Sequence, residues 1–256
     1  MTSKPDDVAS IVESVLKDRR YGYPDNPLAV REIPVDQLSA AERSALPPWW
    51  IEALQAPARS VGRIVADEWN TQLAGSLPQT ATLFRDHLTG VRLLNENGRY
   101  GLIYMHPFAD RADVVGPWHL GYQPTTPDAL DVPDYFQHYP AALQRFYTGL
   151  HNGWTAGLDF GPLPLGRPVR EIIEASVGFD LEEYNFYGNV PAPVSLDTLV
   201  RVATWHKNRL CVDTATGQAW NISTDLDPDA IATDLFERLD DYNVGIIYRP
   251  PFDAKY

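Results

Sequence analysis

Residues 199–222 read LVRVATWHKNRLCVDTATGQAWNI, and this stretch predicts the fold class of the protein. It contains three short apolar runs, at 199–203, 209–213 and 218–222, and a polar turn separates each run from the next. Short apolar runs that follow one another through tight turns usually pair as antiparallel strands. The stretch therefore predicts an antiparallel sheet, and a helix across residues 210–212 would contradict it.

A second hairpin is predicted near the middle of the chain. Apolar runs at 91–94 and 100–105 flank the dipeptide Asn97-Gly98, which supplies the positive φ angles that a tight turn needs. Residues 114–122 predict a further strand. Residues 157–168 are rich in glycine and proline and predict a loop.

Helices are predicted where apolar residues recur at helical spacing. This pattern covers residues 6–19 and 58–73, and a short helix is expected after the capping box of Ser39 and Glu42. Another helix begins near Pro140 and is followed by the turn Asn152-Gly153. Its apolar face is formed by Leu143, Phe146, Tyr147 and Leu150.

The last helices are short or lie near the end of the sequence. Residues 169–175 predict a short helix, and Asp227 with Pro228 is typical of a helix start, as N-cap and first-turn proline. The buried face of that last helix is expected to hold Ile231, Leu235, Phe236 and Leu239. We also expect the helical face near Pro140, together with Trp154, to share one core with Ile231 and Leu235.

The order of these elements predicts an α+β fold. Helices and antiparallel hairpins occur in separate runs, so we expect an antiparallel sheet flanked by helices, with a helical and hairpin extension at the N-terminus. Residues 123–128, QPTTPD, form the best linker candidate. They divide the chain into regions 1–122 and 123–256, and a single continuous globular unit is the alternative.

The negative charge of the chain argues against two classes of partner, nucleic acids and anionic lipids. It has 34 acidic and 21 basic residues and a formal charge of −13, which opposes binding to nucleic acid or anionic lipid. No secretory signal and no long apolar run is present, and Cys211 is the single cysteine, which excludes an internal disulfide. These features predict a cytoplasmic protein that binds neither membranes nor nucleic acid.

Motifs of enzyme chemistry are missing from the sequence. It contains no glycine-rich phosphate loop, no nucleophile elbow and no H-E-x-x-H zinc motif, so we expect no catalytic residue, metal or cofactor. The competing hypothesis is an enzyme whose site assembles from dispersed residues. Its first candidates are His106, Asp113, His119 and Asp213. Cys211 lies mid-strand and is expected to be a buried, inert thiol.

Two stretches resemble the SMI1/KNR4 (SUKH) superfamily. Residues 139–154, YPAALQRFYTGLHNGW, are similar to the opening of that family, in which a proline starts an aromatic-rich helix that ends in Asn-Gly. Residues 199–222 are similar to its paired strands, with Asp213 ending one strand and Gly217 in the turn to the next. A counterpart of the family's closing helix falls at residues 228–239, so the resemblance covers about residues 125–245.

The resemblance implies a SUKH-like α+β fold in the second region and a role in binding. Bacterial members act as immunity proteins that bind and neutralise a cognate polymorphic toxin, and eukaryotic relatives act as regulators through binding. The leading expectation is therefore a non-catalytic immunity protein whose partner is a toxin with a basic surface. A regulatory scaffold that recognises host proteins is the alternative, beside the dispersed His/Asp enzyme.

The expected partner-binding surface is acidic and centres on the last helix. Opposite charge across an interface speeds association and selects the partner. The candidate residues are Asp225, Asp227, Asp229, Asp234, Glu237, Asp240 and Asp241, with Glu182 and Glu183 as a second cluster.

Overall fold

The computed structural model describes residues 12–13, 15–17, 30–106, 118–126, 132–155, 161–176, 190, 194–205, 208–223 and 230–248. The fold is α+β, as predicted, with helices packed on two antiparallel five-stranded sheets. Within these ranges, no helix combines the length and the apolar character needed to cross a membrane.

The first sheet has the strand order β1-β2-β3-β4-β5. Its strands are β1 (Val30–Glu32), β2 (Gly90–Glu96), β3 (Arg99–Met105), β4 (Trp118–Tyr122) and β5 (Trp154–Thr155). The predicted hairpin is confirmed: Glu96 pairs with Arg99, and Asn97 and Gly98 have φ values of 50° and 88°. The strand predicted at 114–122 is present from Trp118, and its first four residues lie outside the described ranges.

Four α-helices lie between β1 and β2: α1 (Ala40–Ala45), α2 (Pro48–Gln55), α3 (Ala58–Leu73) and α4 (Pro78–His87). The capping box of α1 is confirmed, because Glu42 N donates to Ser39 Oγ and Ser39 N donates to Glu42 Oε2. Helix α3 has the predicted bounds. It approaches α4 so closely at Gly62 that a Cβ there would lie 2.3 Å from the carbonyl oxygen of Phe84.

Of the helix predicted at 6–19, residues 12–13 and 15–17 are described, and they are helical. The helix predicted near Pro140 is α5 (Ala141–Arg145), which continues as a π-helical turn from Phe146 to Leu150. The short helix predicted at 169–175 is α6 (Val169–Ser176).

The second sheet has the strand order β10-β9-β8-β7-β6. Its strands are β6 (Gly161–Pro168), β7 (Leu199–Trp205), β8 (Asn208–Asp213), β9 (Ala219–Ser223) and β10 (Ala230–Thr233). The three strands predicted in residues 199–222 are confirmed as β7, β8 and β9. The loop predicted at 157–168 is wrong over β6, because an edge strand tolerates proline where its N–H would point away from the sheet.

The predicted start of the closing helix is also wrong. Residues 230–233, expected to be helical, form β10 and pair with β9, and helix α7 (Leu235–Tyr248) begins only after them. Asp234 accepts hydrogen bonds from the backbone N–H groups of Phe236 and Glu237, both at 2.9 Å, and so caps α7. Because residues 230–233 pair with β9, the helix cannot begin before Asp234. Asp227 and Pro228 lie outside the described residues.

One large core joins α2–α5 and α7 with one face of each sheet. It contains Leu235 and all the residues expected around Pro140, namely Leu143, Phe146, Tyr147, Leu150 and Trp154, which confirms that prediction. Ile231 is the exception, because its side chain on the edge strand β10 is 54% exposed. Regions 1–122 and 123–256 share this core, and the β4–β5 pair crosses residue 122.

Two smaller cores cover the other faces of the sheets. Val12, Val15 and Leu16 pack on the outer face of the first sheet. Helix α6 packs on the second sheet through Val169 and Ile172, beside Cys211. The side chain of Cys211 is fully buried, as predicted.

Candidate functional site

Helix α7 separates the predicted acidic residues into an exposed set and a buried one. Asp234, Glu237 and Asp241 are exposed, whereas Asp240 is only 2% exposed. The remaining candidates lie outside the described residues: Asp225, Asp227, Asp229, Glu182 and Glu183. The candidate surface therefore consists, as far as it is described, of three carboxylates at the start and along the outer side of α7.

Asp240 is a structural residue, so its assignment to a partner-binding surface is wrong. Its carboxylate accepts hydrogen bonds from Gln79 N at 2.8 Å, Thr80 N at 2.7 Å and Thr80 Oγ1 at 2.6 Å. These N–H groups form the first turn of α4, whose own N-cap position holds Leu77 and gives no side-chain hydrogen bond. A carboxylate at this end also interacts favourably with the helix dipole. Asp240 thus caps α4 from α7.

Asn243 lies one turn further along the buried side of α7 and extends this polar contact. Its Oδ1 accepts a hydrogen bond from Trp154 Nε1 at 3.1 Å, and its Nδ2 donates to Thr80 Oγ1 at 3.3 Å. The chain of hydrogen bonds from Trp154 through Asn243 and Thr80 to Asp240 connects β5, α7 and α4. It satisfies polar groups inside the large core, where an unpaired group would be costly.

The exposed carboxylates of α7 keep most of their charge unbalanced. Arg238 is the one basic residue of the helix, and it forms an ion pair of 3.5 Å with Asp241. Both side chains of that pair are 44% exposed, so solvent weakens the attraction. Asp241 also accepts a hydrogen bond from Gln79 Nε2 at 3.3 Å. Asp241, Glu237 and the capping Asp234 therefore form an acidic patch on the outer side of α7, which Arg238 balances only in part.

Three histidines are buried in or beside the large core, and two of them, His106 and His119, are candidates of the dispersed enzyme site. His119 on β4 and His106, which follows β3, are joined by a hydrogen bond of 3.2 Å between Nδ1 and Nε2. His151, which follows α5, contacts the hydroxyl of Tyr104 with Nε2 at 2.6 Å and the carbonyl oxygen of Tyr122 with Nδ1 at 3.1 Å. All three side chains are 0% exposed.

Burial keeps these histidines neutral. It lowers the pKa of His119 and of His151 to about 3, and it lowers the pKa of His106 well below the usual range, with a further contribution from His119. A backbone carbonyl can only accept, so the Nδ1–H of His151 donates to Tyr122, and Nε2 accepts from Tyr104. Burial also raises the pKa of Tyr104.

The His106–His119 pair cannot satisfy all its nitrogen atoms within the described residues. His106 Nδ1 and His119 Nε2 have no hydrogen-bond partner there. In a neutral pair one N–H bonds the other ring, so one N–H and one lone pair remain. Both rings stack on aromatic neighbours: His119 on Trp154 with centroids 4.8 Å apart, and His106 on Phe84 at 5.7 Å. The pair is thus enclosed by rings.

The dispersed enzyme site is only partly brought together. His106 and His119 meet, but Asp113 lies outside the described residues. Asp213 ends β8, where its carboxylate accepts hydrogen bonds from Ala215 N and Thr216 Oγ1 and shapes the turn into β9. Across the described ranges, no group of three or more His, Cys, Asp or Glu residues could hold a metal ion. Chemistry at the histidine pair would need access that two fully buried rings do not offer.

The sequence shows that the last helix is acid-rich, but it does not show which of its acidic residues are buried. The capping role of Asp240 was missed, and so was Asn243. A usable signal was present in α4, which begins Leu77-Pro78 and has no capping side chain of its own. Where such a start is buried, its N–H groups need an acceptor from another part of the chain, whereas water serves where the start is exposed.

Comparisons of this chain with protein-family models, curated proteins and solved structures found no match. The SMI1/KNR4 resemblance therefore stays a prediction.

Proposed function

We propose that this chain is a non-catalytic binding protein of the immunity type, which acts in the cytoplasm by binding and neutralising a toxin with a basic surface. The observation that carries the proposal is the acidic patch of α7. Asp234, Glu237 and Asp241 are exposed there against the single base Arg238, in a chain with a formal charge of −13. The resemblance of residues 139–154 and 199–222 to immunity proteins points the same way.

The physical role of the patch is to attract and orient the partner. Complementary charge can raise the association rate constant toward about 10⁸–10⁹ M⁻¹s⁻¹ at low salt. Exposed carboxylates achieve this without a large rearrangement, because they are already solvated and close together on one helix. Neutralisation then needs only that the bound chain covers the toxin's working surface, and no covalent step is involved.

The test uses the protein encoded by the gene directly upstream, expressed with and without this chain. We expect that protein to stop growth by itself and growth to return when this chain is co-expressed. The purified pair should associate more slowly as salt is raised. If the upstream product is harmless, or if it binds this chain without losing toxicity, the proposal is wrong and a regulatory partner becomes the better explanation.

Charge reversal locates the binding surface. The variant Glu237→Lys/Asp241→Lys should slow association with the toxin by about tenfold and weaken its salt dependence. Asp240 is left unchanged because it caps α4. The matched control is Glu171→Lys/Glu174→Lys, which makes the same charge change on two exposed positions of α6, against the other face of the second sheet. Equal slowing in both variants would mean that total charge matters and the α7 patch does not.

The enzyme alternative is favoured by one observation, the 3.2 Å contact between His106 and His119. Metal analysis of the purified protein tests it directly. We expect far less than one metal ion per chain, and a stoichiometric ion that is lost in His106→Gln and retained in His138→Gln would favour the enzyme.

A further inference from the structure

Strand β10 forms one edge of the second sheet, and its sequence lacks the charges and prolines that usually protect an edge strand. It pairs with β9 on one side, from Ala230 opposite Ile222 to Thr233 opposite Ala219, and no described strand pairs with its other side. In an antiparallel ladder, half of the backbone N–H and C=O groups of an edge strand point outward. The four residues Ala-Ile-Ala-Thr contain neither a charge nor a proline.

The other three sheet edges carry features that discourage pairing with another chain. Strand β6 contains prolines at 162, 164 and 168 and a bulge in its pairing with β7. Strand β1 has the charged residues Arg31 and Glu32, and β5 is only two residues long. Prolines, charges, bulges and short length are the usual protections of edge strands. Strand β10 is short, but among the described edges it alone presents an uncharged, proline-free sequence of several residues.

An exposed apolar side chain lies in the middle of β10. Ile231 is 54% exposed and is the one large hydrophobic residue exposed among the described residues. It lies opposite Asn221, whose Oδ1 accepts a hydrogen bond from Tyr242 of α7. Since the side chains of paired residues share a face, Ile231 lies on the face of the sheet that carries α7, beyond the rim of the large core. A further strand beside β10 would cover it.

The charge beside this edge indicates which kind of strand fits. Asp234 directly follows β10, and Glu237 and Asp241 stand on the adjoining helix, with Arg238 already paired to Asp241. A second copy of this chain would bring the same carboxylates and a formal charge of −13 to the contact, so like charges oppose self-pairing. An extended segment with lysine or arginine side chains would meet opposite charge instead.

We infer that β10 is a docking edge that takes up an extended, basic segment of the partner protein as an additional strand of the second sheet. The inference rests on the proposed function for the identity of the partner, and it specifies how that partner is held. Backbone hydrogen bonds to β10 supply affinity, an apolar side chain of the segment covers Ile231, and basic side chains contact the acidic patch of α7.

A synthetic peptide tests the edge without the toxin. The probe is a capped peptide in which valine and lysine alternate at every second position and threonine fills the positions between them, so that valine and lysine share one face of the strand. It is titrated against the full chain, and a second peptide carries N-methyl groups on alternate residues to remove half of its donors. We expect the first peptide to bind and the second to bind at least about tenfold more weakly. Amide hydrogen exchange at residues 230–233 should slow when the first peptide is bound. Failure of the first peptide to bind, or binding with unchanged exchange at 230–233, would overturn the inference.

Substitutions at the edge complete the test. Ile231→Lys should weaken binding of the valine–lysine peptide by about tenfold, whereas Ile231→Val should bind as the natural chain does. The charge-matched control is Ala215→Lys, in the exposed β8–β9 turn. If Ile231→Lys and Ala215→Lys bind alike, the edge is not the site. A dimer in sedimentation that becomes a monomer in Ile231→Lys would show that a second copy occupies β10, which also overturns the inference.

The growth assay separates this inference from the proposed function. Protection from the toxin that persists in Ile231→Lys would leave the immunity function intact and remove β10 from it. Peptide binding at β10 in a chain that gives no protection would retain the docking edge and reject the immunity function.

Discussion

The two sides of α7 carry acidic residues that look alike in the sequence and differ in role. On the buried side, Asp240 accepts three hydrogen bonds from the start of α4 and is 2% exposed. On the outer side, Glu237 is exposed, and Asp241 shares a weak ion pair with Arg238. Acidic residues of this helix therefore have two different environments, and burial distinguishes them: the inner carboxylate stabilises the fold, and the outer ones are exposed to solvent.

Among the buried polar groups, the histidines should have the greatest effect, because mild acid should lower the free energy of unfolding of the protein through them. The folded-state pKa of His119 and of His151 is about 3, below the unfolded value of about 6.5. Their contribution is therefore fully present above pH 6.5 and is lost as the pH falls. From pH 7 to pH 5 we expect each to remove about 2 kcal/mol from the free energy of unfolding, measured by urea titration.

This pH window isolates histidines, because carboxylates with ordinary or lowered pKa values change little above pH 5. In His119→Gln, the decrease in the free energy of unfolding from pH 7 to pH 5 should be smaller by about 2 kcal/mol, the contribution of one histidine, even if the variant is less stable overall. The control is His138→Gln, at an exposed position in the turn before α5. An unfolding free energy that is flat between pH 7 and pH 5 would show that protons reach these rings in the folded state.

The next largest effect is expected from removal of the inner carboxylate. Asp240→Ala should lower the free energy of unfolding by about 2–3 kcal/mol, because the first turn of α4 loses its cap and buried donors lose their acceptor. Asp240→Asn should cost less, since it keeps one acceptor oxygen. Denaturant titration measures both, and a loss below about 0.5 kcal/mol in Asp240→Ala would contradict the capping role.

Asn243→Ala should have a smaller effect on the same side of the helix. It leaves Trp154 Nε1 without its acceptor, and we expect a loss of about 1–2 kcal/mol. In a Trp154→Phe background that donor is already gone, so the cost of Asn243→Ala should fall by at least about 0.5 kcal/mol. Equal costs in the two backgrounds would mean that Asn243 acts mainly through Thr80.

The outer carboxylates should contribute least to stability. Glu237→Ala/Asp241→Ala is expected to stay within about 0.5 kcal/mol of the natural chain in denaturant titration, because exposed ion pairs are weak. The same variant should bind a basic partner more slowly at low salt. A stability loss close to that of Asp240→Ala would remove the contrast between the two sides of α7.

Local signals predicted much of the fold correctly. Strands β7 to β9, helix α3, the Ser39–Glu42 capping box and the Asn97-Gly98 turn all depend on residues within a few positions of one another. Errors occurred where two local signals competed. Asp227-Pro228 and Asp234 both suit a helix start, and the prolines of β6 suit a loop as well as an edge strand.

The candidate site was less predictable than the fold, because face assignment depends on where a helix begins and what it packs against. The prediction counted Ile231 into the buried face of the helix, and this choice of face placed Asp240 outward or on a flank. The true helix begins at Leu235 and packs on α4, which turns Asp240 and Asn243 inward. The error for Ile231 is the opposite one: it was predicted to be in the core, and it is exposed on the edge strand β10.

The α+β class, the acidic charge, the Asn97-Gly98 turn and the Ser39–Glu42 capping box could be predicted from the amino-acid sequence, because each follows from composition or from neighbours along the chain. Three other features depend on the packing of segments far apart in the chain: Asp240 caps a helix 160 residues away, His106 contacts His119, and β10 lies at a sheet edge. The physical reason is that burial and the pairing of polar groups depend on which distant segments pack together. Residue type alone does not distinguish a carboxylate that stabilises the core from one that meets a partner.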